Sequence, residues 1–319
     1  MAAFSTSFGS WAGFVAESTY GTAVSPRTNF MRLVSGNLAR RVVNRPTDDL
    51  GDAGSTSRNR KYHFLERDDA GGNLTVDMAY DDSTIFLLKH ALGAVSTSGA
   101  GPYVHTLSLS SPGQTGFTCE QALGDSGKSE VFEGCVINKA TISCAFGEEM
   151  KLSLDVIAET SQGHVSSASP TYNTTFHPIL HHHIGTLSLA SLTLTLVSFE
   201  VSITRNKERR NLLGSANTAQ PSERFLDVEG TFVIEYSPTA NLQAAYLATT
   251  QGDGAFTVTD GTRSMVVNLQ NLFIQNIDQP LQTGAGLIRQ SCQFRCESDG
   301  TDQGITLVFT NANSSATAN

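Results

Sequence analysis

A chain of 319 residues exceeds the size at which one hydrophobic core stays compact, and a usual domain length of about 100 to 200 residues gives roughly two domains. Its 30 acidic and 21 basic residues leave a formal net charge of −9, which excludes the basic footprint that holds phosphates by counterion release. A hydrophobic content of 39% with 8% aromatics excludes a disordered chain. Five cysteines (Cys119, Cys135, Cys144, Cys292 and Cys296) form an odd set without any C-x-x-C, so neither a disulfide framework nor a zinc site is suggested; reduced, mostly buried thiols are expected.

In chain order, residues 1–30 are small and polar with isolated aromatics at Phe4, Phe8, Trp11, Phe14 and Tyr20, and read as an N-terminal arm lying on a neighbouring surface. Residues 1–8 lack the charged and apolar regions of a signal peptide. No stretch reaches the roughly 18 to 20 apolar residues of a membrane helix, so a soluble protein made in a cytoplasm is expected. Residues 30–43 read as strands. Residues 44–71 form a long charged connection that carries Arg45, Asp48, Asp49, Arg58, Arg60, Lys61, Arg67, Asp68 and Asp69. Ordering so long a loop costs backbone entropy that few local contacts offset, so a partner in another subunit is expected.

A strand over 73–80 leads through Ser83, a candidate N-cap, into a helix over 84–91 that stops at Gly93. Period-two alternation predicts strands over 103–109, 116–121, 133–146 and 149–158. The Ser/Pro/Asn-rich stretch 161–175 marks a boundary, although 184–197 could be a strand that completes the first domain. The second half then reads as strands near 192–206, a polar loop 207–224, a strand 225–236, a helix 239–249, and strands 255–259, 263–275, 286–296 and 304–310.

The same pattern occurs twice. Gly72, Leu74, Val76 and Met78 alternate with polar residues before a turn and an apolar helical run, and Gly230, Phe232, Ile234 and Tyr236 do the same 230 − 72 = 158 residues later. Residues 38–51 lie on 201–214 at an offset of 201 − 38 = 163, and residues 135–138 on 272–275 at 272 − 135 = 137. The organisation follows: an arm over 1–30, a first domain over 31–160, a linker over 161–185 and a second domain over 186–319. A chain built from two copies of one β module serves repetition, as in rings, arrays or tubes. Asp77 and Glu235 stand at equivalent positions on the polar face of the repeated strand. In a channel wall they would form circles of carboxylates; the alternative is a pair of ordinary exposed acids.

Sharper chemical motifs dissolve on inspection. Residues 122–129 (ALGDSGKS) fit a relaxed phosphate loop, but a strand follows where a long helix is needed, which favours an exposed hairpin. His177, His181, His182 and His183 are the densest potential ligand set, without a Cys or carboxylate nearby in sequence to complete a shell. Adjacent carboxylates at Asp48-Asp49, Asp68-Asp69, Asp81-Asp82 and Glu148-Glu149 read as solvated turns rather than an acid and base pair. No G-x-S-x-G is present, so neither catalysis nor a cofactor is implied.

The segment Glu17-Ser18-Thr19-Tyr20-Gly21-Thr22-Ala23, the Ser35-Gly36-Asn37-Leu38 strand before a long loop, and the run from Gly72 through Tyr80-Asp81 to Leu87-Leu88 and Gly93 resemble the major tail tube proteins of long-tailed bacteriophages. That resemblance implies a mainly β chain: two tandem tail-tube-type β-sandwich domains, each with one short flanking helix, whose inner sheets close into an oligomeric β-barrel. It implies a structural virion protein of the phage tail, synthesised in the host cytoplasm, through whose lumen DNA passes without specific binding and without a membrane. Fused duplicated members form trimeric, pseudo-hexameric rings, which here would stack and meet the tape measure, tail terminator and tail tip. Asp77 and Glu235 become lumen candidates, and the charged residues of 44–71 candidates for contact with the adjacent ring. The competing reading is a carbohydrate-binding or decoration β module of a phage tail.

Overall fold

The computed structural model describes residues 6–46, 63–110, 116–172, 176–189, 192–237, 242–247, 251–278, 287–298 and 304–314. In the first half the elements are β1 (Trp11–Ala16), β2 (Asn29–Gly36), β3 (Ala39–Pro46), β4 (His63–Asp77), α1 (Asp82–Leu92), β5 (Gly93–Ser98), β6 (Tyr103–Leu109), β7 (Phe117–Ala122), β8 (Lys128–Ala145), β9 (Lys151–Ala158) and β10 (Thr160–Ser166). The second half contains β11 (Ile184–Leu189), β12 (Leu192–Leu194), β13 (Leu196–Thr204), β14 (Glu208–Arg210), β15 (Ala219–Ser222), β16 (Asp227–Glu235), α2 (Gln243–Leu247), β17 (Gly252–Thr259), β18 (Ser264–Asp278), β19 (Arg289–Cys296) and β20 (Ile305–Asn311).

Six antiparallel ladders close the first half into a barrel, running β1–β2–β4–β9–β8–β7 and back to β1. The second half runs β11–β12/β13–β16–β19–β18–β17 and back to β11. The registers coincide. Leu33 faces Val76 as Leu196 faces Ile234, and Gly36 faces Leu74 as Phe199 faces Phe232, at 196 − 33 = 163 and 234 − 76 = 158. Ile137 faces Val156 as Ile274 faces Phe294, at 274 − 137 = 137 and 294 − 156 = 138. The register slips also recur, between Leu33 and Ser35 and between Leu196 and Ser198, and again at Asn138 and Gln275. A bulge bends one strand against its partner, so keeping it in place preserves the curvature of each barrel.

Gly72 and Gly230 are glycine for one reason in both halves. A Cβ on Gly72 would lie 2.4 Å from the Asn37 carbonyl oxygen, and one on Gly230 would lie 2.3 Å from that of Glu200, with 200 − 37 = 163. Here the neighbouring strand crosses too closely for any side chain.

Each barrel interior is filled by the apolar side of the alternating strands. Phe14 and Phe117 lie 6.0 Å apart around Phe86 of α1 in the first, and Phe199 stacks on Phe256 at 4.2 Å and lies near Phe294 in the second. Burying each such ring stabilises by about 1.5–3 kcal/mol relative to exposure. All five cysteines are free and buried within these cores, as expected, and burial pushes the Cys292 and Cys296 thiols up to about 12.

Several expectations are corrected. The 1–30 segment is not wholly an arm: β1 is buried and supplies a barrel strand. Its Trp11, Ala12, Phe14 and Val15 are in the core, whereas Phe8 is 84% exposed. The helix begins at Asp82, and its N-cap is Asp81 rather than Ser83, with the Asp81 carboxylate accepting from the Thr84 amide at 3.0 Å. Strand β10 occupies the start of the expected linker and pairs with β8. β11 joins the second barrel, not the first.

Two seams join the halves. β8 pairs with β13 from Lys139 opposite Thr204 to Ala145 opposite Ser198, and β20 lies between β18 and β6. Arg205 adds a clamp: buried, it donates to the Ala91 carbonyl at 2.5 Å, to the Leu92 carbonyl and to Glu223 at 2.6 Å, capping the C-terminus of α1 from the other half. A cation there satisfies orphan carbonyls and complements the helix dipole.

Candidate functional site

Because β8 pairs with both β9 and β13, one sheet runs without interruption through β4, β9, β8, β13, β16, β19 and β18. Alternation gives it two unlike faces. Leu74, Val76, Leu152, Leu154, Ile142, Val201, Ile203, Phe232, Ile234 and Phe294 point into the cores. The opposite face carries Thr75, Ser153, Thr141, Ser143, Ser198, Ser202 and Ser291, all half-buried, and its hydroxyls bond across strands: Thr75 to Ser153 and Thr141 to Ser202, each at 3.1 Å.

Asp77 and Glu235 both lie on this face, half-buried, at the ends of β4 and β16. Each stands opposite a base in equivalent register, Asp77 opposite Lys151 and Glu235 opposite Arg289. Asp155 faces Lys139 and Glu229 faces Arg295 in the same manner. Sequence reasoning missed these bases, because the acids were found by one offset and their partners by another. Burial and nearby Glu149 push the Asp77 carboxyl above the usual carboxylate range, against the opposing pull of Lys151. The face is thus a hydroxyl surface with laddered opposite charges rather than a plain acidic wall.

The charged segment 44–71 divides. Arg45 is exposed at the end of β3, and Arg67, Asp68 and Asp69 belong to β4, which pairs with β3 as a hairpin. Asp48, Asp49, Arg58, Arg60 and Lys61 lie outside the described residues. Asp68 and Asp69 are buried rather than solvated: Asp68 accepts from Arg40 Nε at 2.8 Å, and Asp69 pairs with Arg67 at 2.8 Å. Asp81, expected in a solvated turn, is likewise buried as the helix cap.

The other motifs find ordinary places. Residues 122–129 turn β7 into β8, with Ser129 buried and donating to Glu120 at 2.7 Å; no long helix follows to receive phosphates. His177 meets Arg263 at 2.8 Å, His181 packs on Phe146 and His183 on Tyr80. Among the described residues no group of three or more His, Cys, Asp and Glu is placed to hold a metal ion. The one tryptophan, Trp11, is 4% exposed with its edge on Phe30, so it offers no platform for a sugar ring.

A family model described as phage tail tube protein matches residues 12–296, from β1 through β19. The chain belongs to the phage tail tube protein family. This tail tube protein is accordingly a structural component of the virion tail that assembles into a tube with other tail proteins. A search of curated proteins finds no match to the chain. Among the described residues no helix is long and apolar enough to cross a membrane.

Proposed function

We propose that three copies of this tail tube protein close a ring in which six barrels surround a lumen, and that stacked rings form the conduit for DNA ejection. The observation that carries the reading is the recurrence of the six barrel ladders at constant offsets within one chain, which supports descent from a duplicated single-barrel unit. The first unit covers residues 31–160 together with β1, and the second covers 186–319. Rings are made in the host cytoplasm and stack between the tape measure, terminator and tip proteins. The β3–β4 connection reaches toward the adjacent ring through Arg45, Asp48, Asp49, Arg58, Arg60, Lys61 and Arg67, while Asp68 and Asp69 stay buried in β4. The chain performs no catalysis.

The polar face of the shared sheet lines the lumen. Its bases each face an acid, so they gain little by releasing counterions from DNA, and the duplex slides without being held. Negative-stain microscopy of purified protein or virions tests the assembly: tubes with a regular ring repeat and three-fold averages are expected, and a monodisperse monomer under all conditions would sink it. Replacing residues 47–62 with a short turn should leave rings that do not stack, while normal tubes would remove the inter-ring role. Changing Asp77 and Glu235 together to Lys places like charges opposite Lys151 and Arg289 and should slow ejection. Unchanged ejection kinetics would place these residues away from the lumen.

A further inference from the structure

The seam between the two barrels has two bare counterparts. On β13 the side that receives β8 is continuous with the side on which β12 pairs β11. Its equivalent is the side of β2 that pairs β1 over Asn29 to Arg32; the Leu33 amide still bonds the Ser10 carbonyl, and beyond that point, over residues 34–41, no strand among the described residues covers it. The exposure agrees. Ser198, Phe199 and Ser202 are buried or half-buried, whereas their counterparts Ser35, Gly36 and Ala39 are exposed, beside Val34 at 49%. At the other end of the sheet, β8 holds β9 on one side and β13 on the other over 139–145. The matching end of β18, Asn276 to Asp278, pairs only with β19 among the described residues, since β20 stops at Leu269.

We infer that these two bare edges pair with each other between copies of the chain, in the register that β8 uses on β13. Transposing the internal seam with 139 + 137 = 276 and 204 − 163 = 41, Lys139 opposite Thr204 becomes Asn276 opposite Arg41 of the second copy. Ile277 then faces Arg40 and Asp278 faces Ala39, which sets the Asp278 carboxylate one ladder step from the exposed Arg41 on the same face. An unpaired edge of exposed backbone donors and acceptors is a template for another strand, and here the chain supplies both halves of the joint. The step from first barrel to second is thereby repeated from one chain to the next, a head-to-tail contact that generates a ring when the rotation closes. This inference rests on the tube reading and specifies the edges and register that would close it.

Cysteine pairs in the full chain test the register. Thr141→Cys with Ser202→Cys is the internal control, because those hydroxyls lie 3.1 Å apart and occupy the ladder position equivalent to Asp278 and Ala39. Ala39→Cys with Asp278→Cys should give, in oxidised assemblies, chain-to-chain disulfides that run as covalent multimers without reductant, whereas the control cross-links only within the chain. Tubes in which the control closes and the test pair does not, or in which Asp278→Cys couples to a register-shifted cysteine instead, would overturn the pairing while leaving the tube reading intact. Wild-type protein that forms no tubes would remove the tube reading itself. Hydrogen exchange on unmodified protein serves if the variants misfold: those amides of residues 34–41 and 276–278 that face away from β4 and β19 should slow by about tenfold or more on assembly, and unchanged rates would overturn the joint.

Discussion

The two barrels hold the same ladders with different contents. The first packs Phe86 of α1, a helix of eleven residues that is almost wholly buried, against Phe14 and Phe117, and adds a β5–β6 pair that has no counterpart among the described residues of the second. Among its described residues the second has one α-helix, α2, and it draws its interior from stacked Phe199, Phe256 and Phe294. Their connections differ as much: β3 and β4 form a long hairpin, β14 and β15 a short one. What persists are bulges, registers and the two close-approach glycines, the features that set how one barrel curves and meets the next. Side chains inside and loops outside differ around that shared frame.

The comparison can be broken by cutting into either core. Phe199→Ala should destabilise by about 3–5 kcal/mol, and Phe86→Ala by a similar amount. Because the β8–β13 and β6–β20 seams tie the halves together, each is expected to lower a single calorimetric transition. Two transitions, only one of which moves, would show halves that melt independently.

Arg205→Ala attacks the joint rather than either core. It strands the Ala91 carbonyl and leaves the Leu92 carbonyl to the Ser110 amide and Glu223 to Lys207, at a cost of about 1–3 kcal/mol by denaturant titration. A loss below about 0.5 kcal/mol would mean that the clamp adds nothing to the strand seams. Gly72→Ala and Gly230→Ala should each cost about 1–3 kcal/mol, since both force apart equivalent strands; Gly72 pays more because its φ of 150° is also unfavourable for a side chain. A substitution that costs nothing at either site would deny that the close strand approach requires glycine there.

The smallest expected effect concerns acid. Among the described residues the acids held above the usual carboxylate range lie in the first half: Glu17, Asp77, Asp81, Asp82 and Glu159, each chiefly through burial. In the second half Asp260 is held below it by bonds from Arg263 and Thr262. A raised folded pKa means the folded state binds protons more readily than the unfolded one. Stability therefore rises as pH falls from neutral toward the ordinary carboxylate range, and is lost as pH climbs through the folded values. Melting temperature should increase modestly between pH 7 and pH 5, less so in Glu17→Gln; a flat profile in wild-type protein would contradict the shifts.

Much of this architecture was legible in sequence where alternation is clean. Strand β6 spans the predicted 103–109, and the offsets 158, 163 and 137 read from residue patterns recur in the ladders. Failures have physical causes. β1 is a short, fully buried run whose Trp11, Ala12, Gly13, Phe14 and Val15 show no alternation, because both faces meet protein. The start of β4 resembled a loop because Arg67, Asp68 and Asp69 are charged; ion pairs with Arg40 and within the strand allow the two aspartates to be buried. The bases opposite Asp77 and Glu235 became visible only once β9 and β19 were in register, as no local signal joins residues so far apart.

The β8–β13 seam has one more consequence. In an array assembled from single barrels every joint is bimolecular, and dilution dissolves it. Here one joint in each chain is covalently tethered, so it forms as the chain folds, at an effective concentration that no change in protein abundance can lower. Assembly has only the remaining joints to find, and it starts from units whose curvature is already fixed.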